Sequence, residues 1–169
     1  KCLRITPNYA SAYNNRGVVY KNLGNYKDAI ADYSKAITID PNYAEPYGNR
    51  GNAYYDLGNY TDAIADFTRS IKIDPDAADT YYNRGNVYYT QKNYNDAIAD
   101  YSRAIKIDPD DEDTYYNRGI AYDELENYNN AIIDYTRAIR IDPNYTSAYN
   151  NRGIAKQNAG LSYCSDYKI

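Results

Sequence analysis

Small apolar and aromatic side chains recur along this chain at steps of three and four residues. In the stretch 26–39, Ala29, Tyr33 and Ala36 share one helix face, and Ile30, Tyr33 and Ile37 broaden it. A second segment of this kind lies just before it. The pattern therefore predicts helices over roughly 10–23 and 26–39. Asp40-Pro41 follows, and proline stops a helix because it lacks the N–H and clashes with the preceding turn. The layout then returns every 34 residues. Asn-Arg-Gly stands at 15–17, 49–51, 83–85, 117–119 and 151–153, and Asp-Pro at 40–41, 74–75, 108–109 and 142–143. Full units run 10–43, 44–77, 78–111 and 112–145, with partial units at 1–9 and 146–169, which predicts a single array over 1–169.

Each unit reads Tyr-x2-Arg-Gly-x2-Tyr, then Ala-x3-Tyr/Phe, then Pro, as in Tyr13, Arg16, Gly17, Tyr20, Ala29, Tyr33 and Pro41. This resembles the tetratricopeptide repeat family, whose pattern is Trp-x2-Leu-Gly-x2-Tyr, Ala-x3-Phe and Pro at the same period. Tyrosine replaces the tryptophan and arginine the leucine in every unit. The resemblance implies an all-α fold, a right-handed α-solenoid (superhelix) of antiparallel helix pairs. It also implies that the first helix of each pair lines a concave face where extended peptides bind.

Local chemistry fits that layout. A glycine inside a helix costs about 1 kcal/mol against alanine. Its return at one register therefore predicts close approach of the partner helix. Asn25, Asn59, Asn93 and Asn127 are placed as N-caps of the second helices. Asp28, Asp62 and Asp96 three residues on form a weak capping box. Pro46 falls in a first helical turn, where a missing N–H costs little. Arg16, Arg50, Arg84 and Arg118 precede Asp32, Asp66, Asp100 and Asp134 by sixteen residues, which predicts an ion pair across each helix pair. The alternative is a ladder of arginines open to acidic partners.

Composition narrows the function. The chain has 25 tyrosines, no histidine, a net charge of −4 and a pI near 4.8. An acidic balance disfavours nucleic acid and anionic membrane, and no apolar run reaches membrane-spanning length. Without histidine the commonest general base is missing, and two distant cysteines make neither a zinc site nor an internal disulfide. No phosphate-binding glycine loop is present. The run Asp108, Asp110, Asp111, Glu112, Asp113 lacks the glycine and late glutamate of a calcium loop, and reads as acids favoured at a helix N-terminus. No enzyme activity, cofactor or metal is expected. Reduced thiols favour a cytoplasmic location, although Asn59-Tyr60-Thr61 and Asn144-Tyr145-Thr146 match a glycosylation acceptor. Lys1–Ile5 aligns with the end of a second helix and Gly160–Ile169 with a shortened turn and the start of another, as in a piece of a longer array. Such ends would favour head-to-tail self-association.

The expected peptide-binding stripe comprises Asp79, Tyr82, Asn83, Asn86 and Tyr89 on one first helix. Its neighbours are Glu45, Gly48, Asn49, Asn52 and Tyr55, then Asp113, Tyr116, Asn117, Ile120 and Asp123. Two family modes bear on it. The carboxylate clamp for acidic chaperone tails has its asparagines matched by Asn52 and Asn83, but it needs lysine or arginine where this chain has Gly48, Asp113 and Asn117, so such tails are not expected partners. The asparagine ladder of the O-linked N-acetylglucosamine transferase superhelix, where one asparagine per repeat holds a peptide backbone, has its match in Asn15, Asn49, Asn83, Asn117 and Asn151. The plainer reading is that these asparagines bridge neighbouring helices. Tyr55, Tyr82, Tyr89 and Tyr116, with Asp79 and Asp113, suit a basic or apolar peptide, or else they only cover the groove floor. The expected function is a protein–protein interaction scaffold. The alternative is a structural module stacking end to end.

Overall fold

The computed structural model describes residues 9–162. Nine helices account for the regular structure of those residues: α1 (Ala10–Asn22), α2 (Tyr26–Ile39), α3 (Ala44–Asp56), α4 (Tyr60–Ile73), α5 (Ala78–Thr90), α6 (Tyr94–Ile107), α7 (Glu112–Glu124), α8 (Tyr128–Ile141) and α9 (Thr146–Asn158). The fold is an all-α solenoid of helix pairs, and the predicted helix positions hold to within a residue. Cys2, Cys164, Lys1–Ile5 and most of the terminal segment expected to begin a further helix lie outside the described residues.

Two compact units divide between Val87 and Tyr88. In the first, α1 packs on α2 and α3 on α4, while α2 also meets α3. In the second, α7 packs on α8, and α8 on α9. Each core layer is built alike: an alanine and an aromatic from a second helix close on a small residue of the following first helix. Ala29, Tyr33 and Ala53 form one such cluster, and Ala131, Tyr135 and Ala155 another. The glycines that follow the arginines are where the aromatic rings lie. A Cβ on Gly17 would sit 2.6 Å from the Tyr33 ring, on Gly51 2.9 Å from Phe67, and on Gly119 2.7 Å from Tyr135. Close approach thus outweighs the helix-propensity cost.

The two departures from the family pattern form one device. Arg16, Arg50 and Arg118 each grip an aspartate of their own partner helix through Nε and Nη2: Asp32 at 2.5 and 2.6 Å, Asp66 at 2.7 and 2.8 Å, and Asp134 at 2.7 Å twice. The remaining nitrogen Nη1 reaches back one unit, from Arg50 to Ser34 at 2.8 Å and from Arg118 to Ser102 at 2.9 Å. Those hydroxyls donate in turn to the Ile30 and Ile98 carbonyls. The Arg50 guanidinium also lies 5.9 Å from the ring centres of both Tyr47 and Tyr54. Hydrogen bonds donated to Asp66 hold the Arg50 pKa above its ordinary value although burial works against it. These arginines are therefore framework, and the reading as an open ladder for acidic partners is corrected.

The capping expectation is corrected as well. No side-chain cap bond forms at Asn25, Asn59, Asn93 or Asn127. Instead the Asn59 and Asn93 side-chain amides donate to Asp62 and Asp96 at 2.6 and 2.5 Å. The backbone N–H that a capping box would satisfy is already taken. Each of these asparagines donates it to the carbonyl of Tyr20, Tyr54, Tyr88 or Tyr122, closing the preceding helix in a Schellman turn. The aspartate of each Asp-Pro has its own task. Asp40, Asp74, Asp108 and Asp142 end a helix and accept the N–H two residues on. Asp111 caps α7, accepting from the Asp113 N–H and the Thr114 hydroxyl, so the acidic run is helix-terminal chemistry.

Candidate peptide-binding site

In the first unit, α3 and α5 present their polar faces to a common cavity of about 440 Å³. It brings together Asn49, Asn52, Asp79 and Asn83 from the expected stripe, with Glu45 and Gly48 beside them. Helical spacing puts Glu45, Gly48, Asn49 and Asn52 on one face of α3, and Asp79 and Asn83 on one face of α5. No lysine or arginine lines the cavity. Asn49 donates to the Asn14 carbonyl oxygen at 3.0 Å, and the buried Asn14 reaches Glu45 at 3.5 Å. Asn15, Asn52, Asn83 and Asp79 make no side-chain hydrogen bond among the described residues. The Tyr43 hydroxyl donates to Glu45, and burial together with that carboxylate pushes its pKa up to about 12.

The second unit arranges the same register differently. Asn151 donates to the Tyr116 hydroxyl at 3.0 Å, so it bridges neighbouring first helices as Asn49 does. Tyr116 is half-buried, 4.9 Å from the Tyr145 ring and 5.8 Å from the core Tyr135. Asp113 accepts from the Tyr145 hydroxyl at 2.6 Å. Tyr89 stacks against Tyr94 at 5.5 Å, and both hydroxyls turn to Glu124, at 3.4 and 3.0 Å. Burial first, then the Glu124 charge, raises the Tyr89 pKa. In the first unit Tyr55 packs on Tyr60 at 5.8 Å. Tyr82, Asn86 and Asn117 are half-buried and engaged in contacts of their own. Tyr55 and Tyr89 thus each lean on one neighbouring ring and stay half-buried, while Tyr116 sits between two.

Sequence reasoning placed Gly48 on the stripe without a role. Its signal was present, since it is the stripe position where a unit has no side chain at all. Tyr145 and Thr80 were missed because their relevance comes from neighbours 32 residues or more away in sequence, or across a cavity. Among the described residues no group of side chains could hold a metal ion, and no helix is long and apolar enough to cross a membrane.

Family profiles of the tetratricopeptide repeat match residues 10–43 and 112–145, with a further one at 33–65, and a TPR repeat profile matches 51–92 and 85–125. Among solved structures, a MamA crystal structure is 30% identical, with 89% of this chain and 87% of that chain covered at a TM-score of 0.83. YrrB, described as a TPR protein with an unusual peptide-binding site, shares the fold at 20% identity, 94% and 82% coverage and a TM-score of 0.82. The first TPR of Spaghetti (RPAP3), bound to the HSP90 peptide SRMEEVD, is 27% identical over 69% of this chain and 93% of that one, with a TM-score of 0.67. No curated protein matches the chain.

Proposed function

Because the chain belongs to the tetratricopeptide repeat family, we propose that it is a protein-interaction scaffold without catalysis of its own, holding an extended peptide of a partner along the asparagine-bearing first helices of each unit. One observation carries the reading. Asn15, Asn52 and Asn83 stand on helices with their side-chain hydrogen-bonding capacity unused among the described residues. Asparagine is a weaker helix former than alanine by up to about 0.7 kcal/mol, so helix formation does not explain it there. An amide that donates and accepts matches one peptide unit whatever its side chain. In the bridged positions, Asn49 still keeps one amide hydrogen and its oxygen for a ligand, and Asn151 its oxygen. The RPAP3 complex supports peptide capture as a mode open to this family.

The chemistry of the stripe selects a different peptide from the acidic one held there. Glu45 and Asp79 line the cavity in the first compact unit, Asp113 stands at the matching register in the second, and the half-buried Tyr55, Tyr82, Tyr89 and Tyr116 offer aromatic and cation–π surface. A peptide with basic and apolar side chains fits both. A peptide-library titration tests this. Asn83→Ala and Asn117→Ala are expected to weaken all binders alike, by several-fold, while Tyr82→Ala reorders which peptides bind best. A library that prefers acidic sequences, or that binds the double asparagine variant as tightly as the natural chain, overturns the proposal.

A further inference from the structure

The cavity between α3 and α5 owes its space to Gly48. At the same register the other units carry Asn14, Tyr82, Tyr116 and Asn150. Asn14 is buried, and Tyr116 lies against Tyr135 and Tyr145. Gly48 is not demanded by packing: a Cβ there would have only the Ser70 Oγ nearby, at 3.7 Å, an ordinary contact. Its turn-mate Gly51 is the opposite case, with the Phe67 ring at 2.9 Å. A glycine that is poor for the helix and unnecessary for the core leaves one consequence, which is room.

The walls of that room are rich in acceptors and hold no charged donor. Thr80 is 8% exposed, lines the cavity, and has no side-chain hydrogen bond among the described residues. Its counterpart Thr114 donates to Asp111, a partner that Ala77 cannot supply at the matching position. Asp79 is exposed and unengaged, whereas its counterpart Asp113 is taken by Tyr145. The Asn49, Asn52 and Asn83 amides and the carboxylates of Asp74 and Glu45, the latter also taking the Tyr43 hydroxyl, share the lining with Ser70 and three alanines, and no lysine or arginine is among them.

We propose that this cavity receives an arginine side chain of the bound peptide. It rests on the scaffold reading and sharpens it. A guanidinium presents five N–H donors in one plane and no acceptor, which complements walls of carboxylate, amide oxygen and hydroxyl. A lysine ammonium offers three donors at a point and meets fewer of them. The volume, about 440 Å³, lies within the range of small-ligand sites and admits the side chain together with its own peptide unit.

The test is a ¹H–¹⁵N NMR titration of the full chain with acetyl-Ala-Arg-Ala-amide, against the same peptide carrying citrulline, a neutral isostere. Saturable shifts are expected at Gly48, Asn52, Asp79 and Asn83, with at least fivefold weaker binding of the citrulline peptide. Gly48→Tyr, which installs the side chain found in two other units, is expected to abolish the shifts. Asp79→Asn, an exposed change that keeps the shape, is expected to weaken binding at least threefold. Equal affinity for arginine and citrulline, or undiminished binding to Gly48→Tyr or Asp79→Asn, overturns the assignment. If the short peptide fails while longer peptides still lose affinity to Asn83→Ala, the pocket is wrong and the scaffold stands. If no peptide binds at all, both fall.

Discussion

Tyr33 and Tyr135 occupy one register and differ in what their hydroxyls find. The Tyr135 hydroxyl donates to Asp123 at 2.6 Å, but the Tyr33 hydroxyl is buried without a partner among the described residues. Twelve residues before Tyr33 stands Lys21 rather than an acid, and its ammonium is turned to Asp56 at 3.6 Å. Burial, with some help from the Asp32 charge, pushes the Tyr33 pKa up to about 12. Phe67 fills the same place in the second repeat, so the core needs only the ring. Tyr33→Phe is therefore expected to be neutral or stabilising by up to about 1 kcal/mol, and Tyr135→Phe to destabilise by about 1–3 kcal/mol, because it strands a carboxylate. Urea midpoints of both variants check the opposed signs. Asp123 itself carries a pH signature. Burial raises its pKa, the Tyr135 hydrogen bond pulls it back in part, and its Oδ1 has no hydrogen-bond partner among the described residues. A raised folded pKa means the contribution to stability is full below the ordinary aspartate value of about 3.9 and is lost as pH rises through the raised value. Asp123→Asn is thus expected to gain stability over the natural chain near pH 7 and to converge with it near pH 3. A gain independent of pH would contradict this.

At the scale of the element, the first helices all end in the same turn, but not with the same residue. Gly24, Gly58 and Gly160 take φ of 76°, 74° and 72° there, and Lys92 and Glu126 are forced to 60° and 56°. The hydrogen bonds are equivalent, for example Gly24 N–H to the Lys21 carbonyl and Lys92 N–H to the Tyr89 carbonyl, at 2.9 and 2.8 Å. A side chain in the left-handed region costs roughly 1–2 kcal/mol, of which glycine's greater freedom in the unfolded chain returns a part. Lys92→Gly and Glu126→Gly are each expected to stabilise by about 0.5–1 kcal/mol, read as a higher melting temperature with unchanged helicity. These substitutions lie outside the arginine–aspartate clamps, so their effects should add. Loss of stability in both would show that Lys92 and Glu126 hold contacts outweighing the turn.

For the whole molecule, charge is expected to govern the encounter with the proposed peptide more than the grip on it. The chain carries a net −4, and the polar cavity of the first compact unit repeats that sign through Glu45 and Asp79. A basic peptide approaches down a favourable potential that salt screens over a length of about 10 Å at 0.1 M. The contacts proposed after docking, to amides and inside the α3–α5 cavity, would be shielded far less. Raising salt from about 0.05 to about 0.5 M is expected to slow association several-fold while dissociation changes little, in stopped-flow traces with an arginine-containing binder. An association rate indifferent to salt would remove the acidic stripe from the account of recognition.

Periodicity by itself determined the helices, the 34-residue register, the glycine contacts and the arginine–aspartate pairs. Each of these depends on residues a fixed distance apart in a unit whose turns are short, so spacing along the chain translates directly into spacing in the fold. The candidate stripe was legible for the same reason: Asn49, Asn52, Asp79 and Asn83 share helix faces wherever the helices lie. Tertiary structure decided which groups were left to act. Whether an asparagine amide is unengaged, as at Asn83, or bridged, as at Asn49 and Asn151, depends on the helix one unit away. The reversal of the expected caps came from a backbone N–H already donated to the preceding helix. The room beside Gly48 exists because α3 and α5 stand around an absent side chain, and a local pattern carries no record of space.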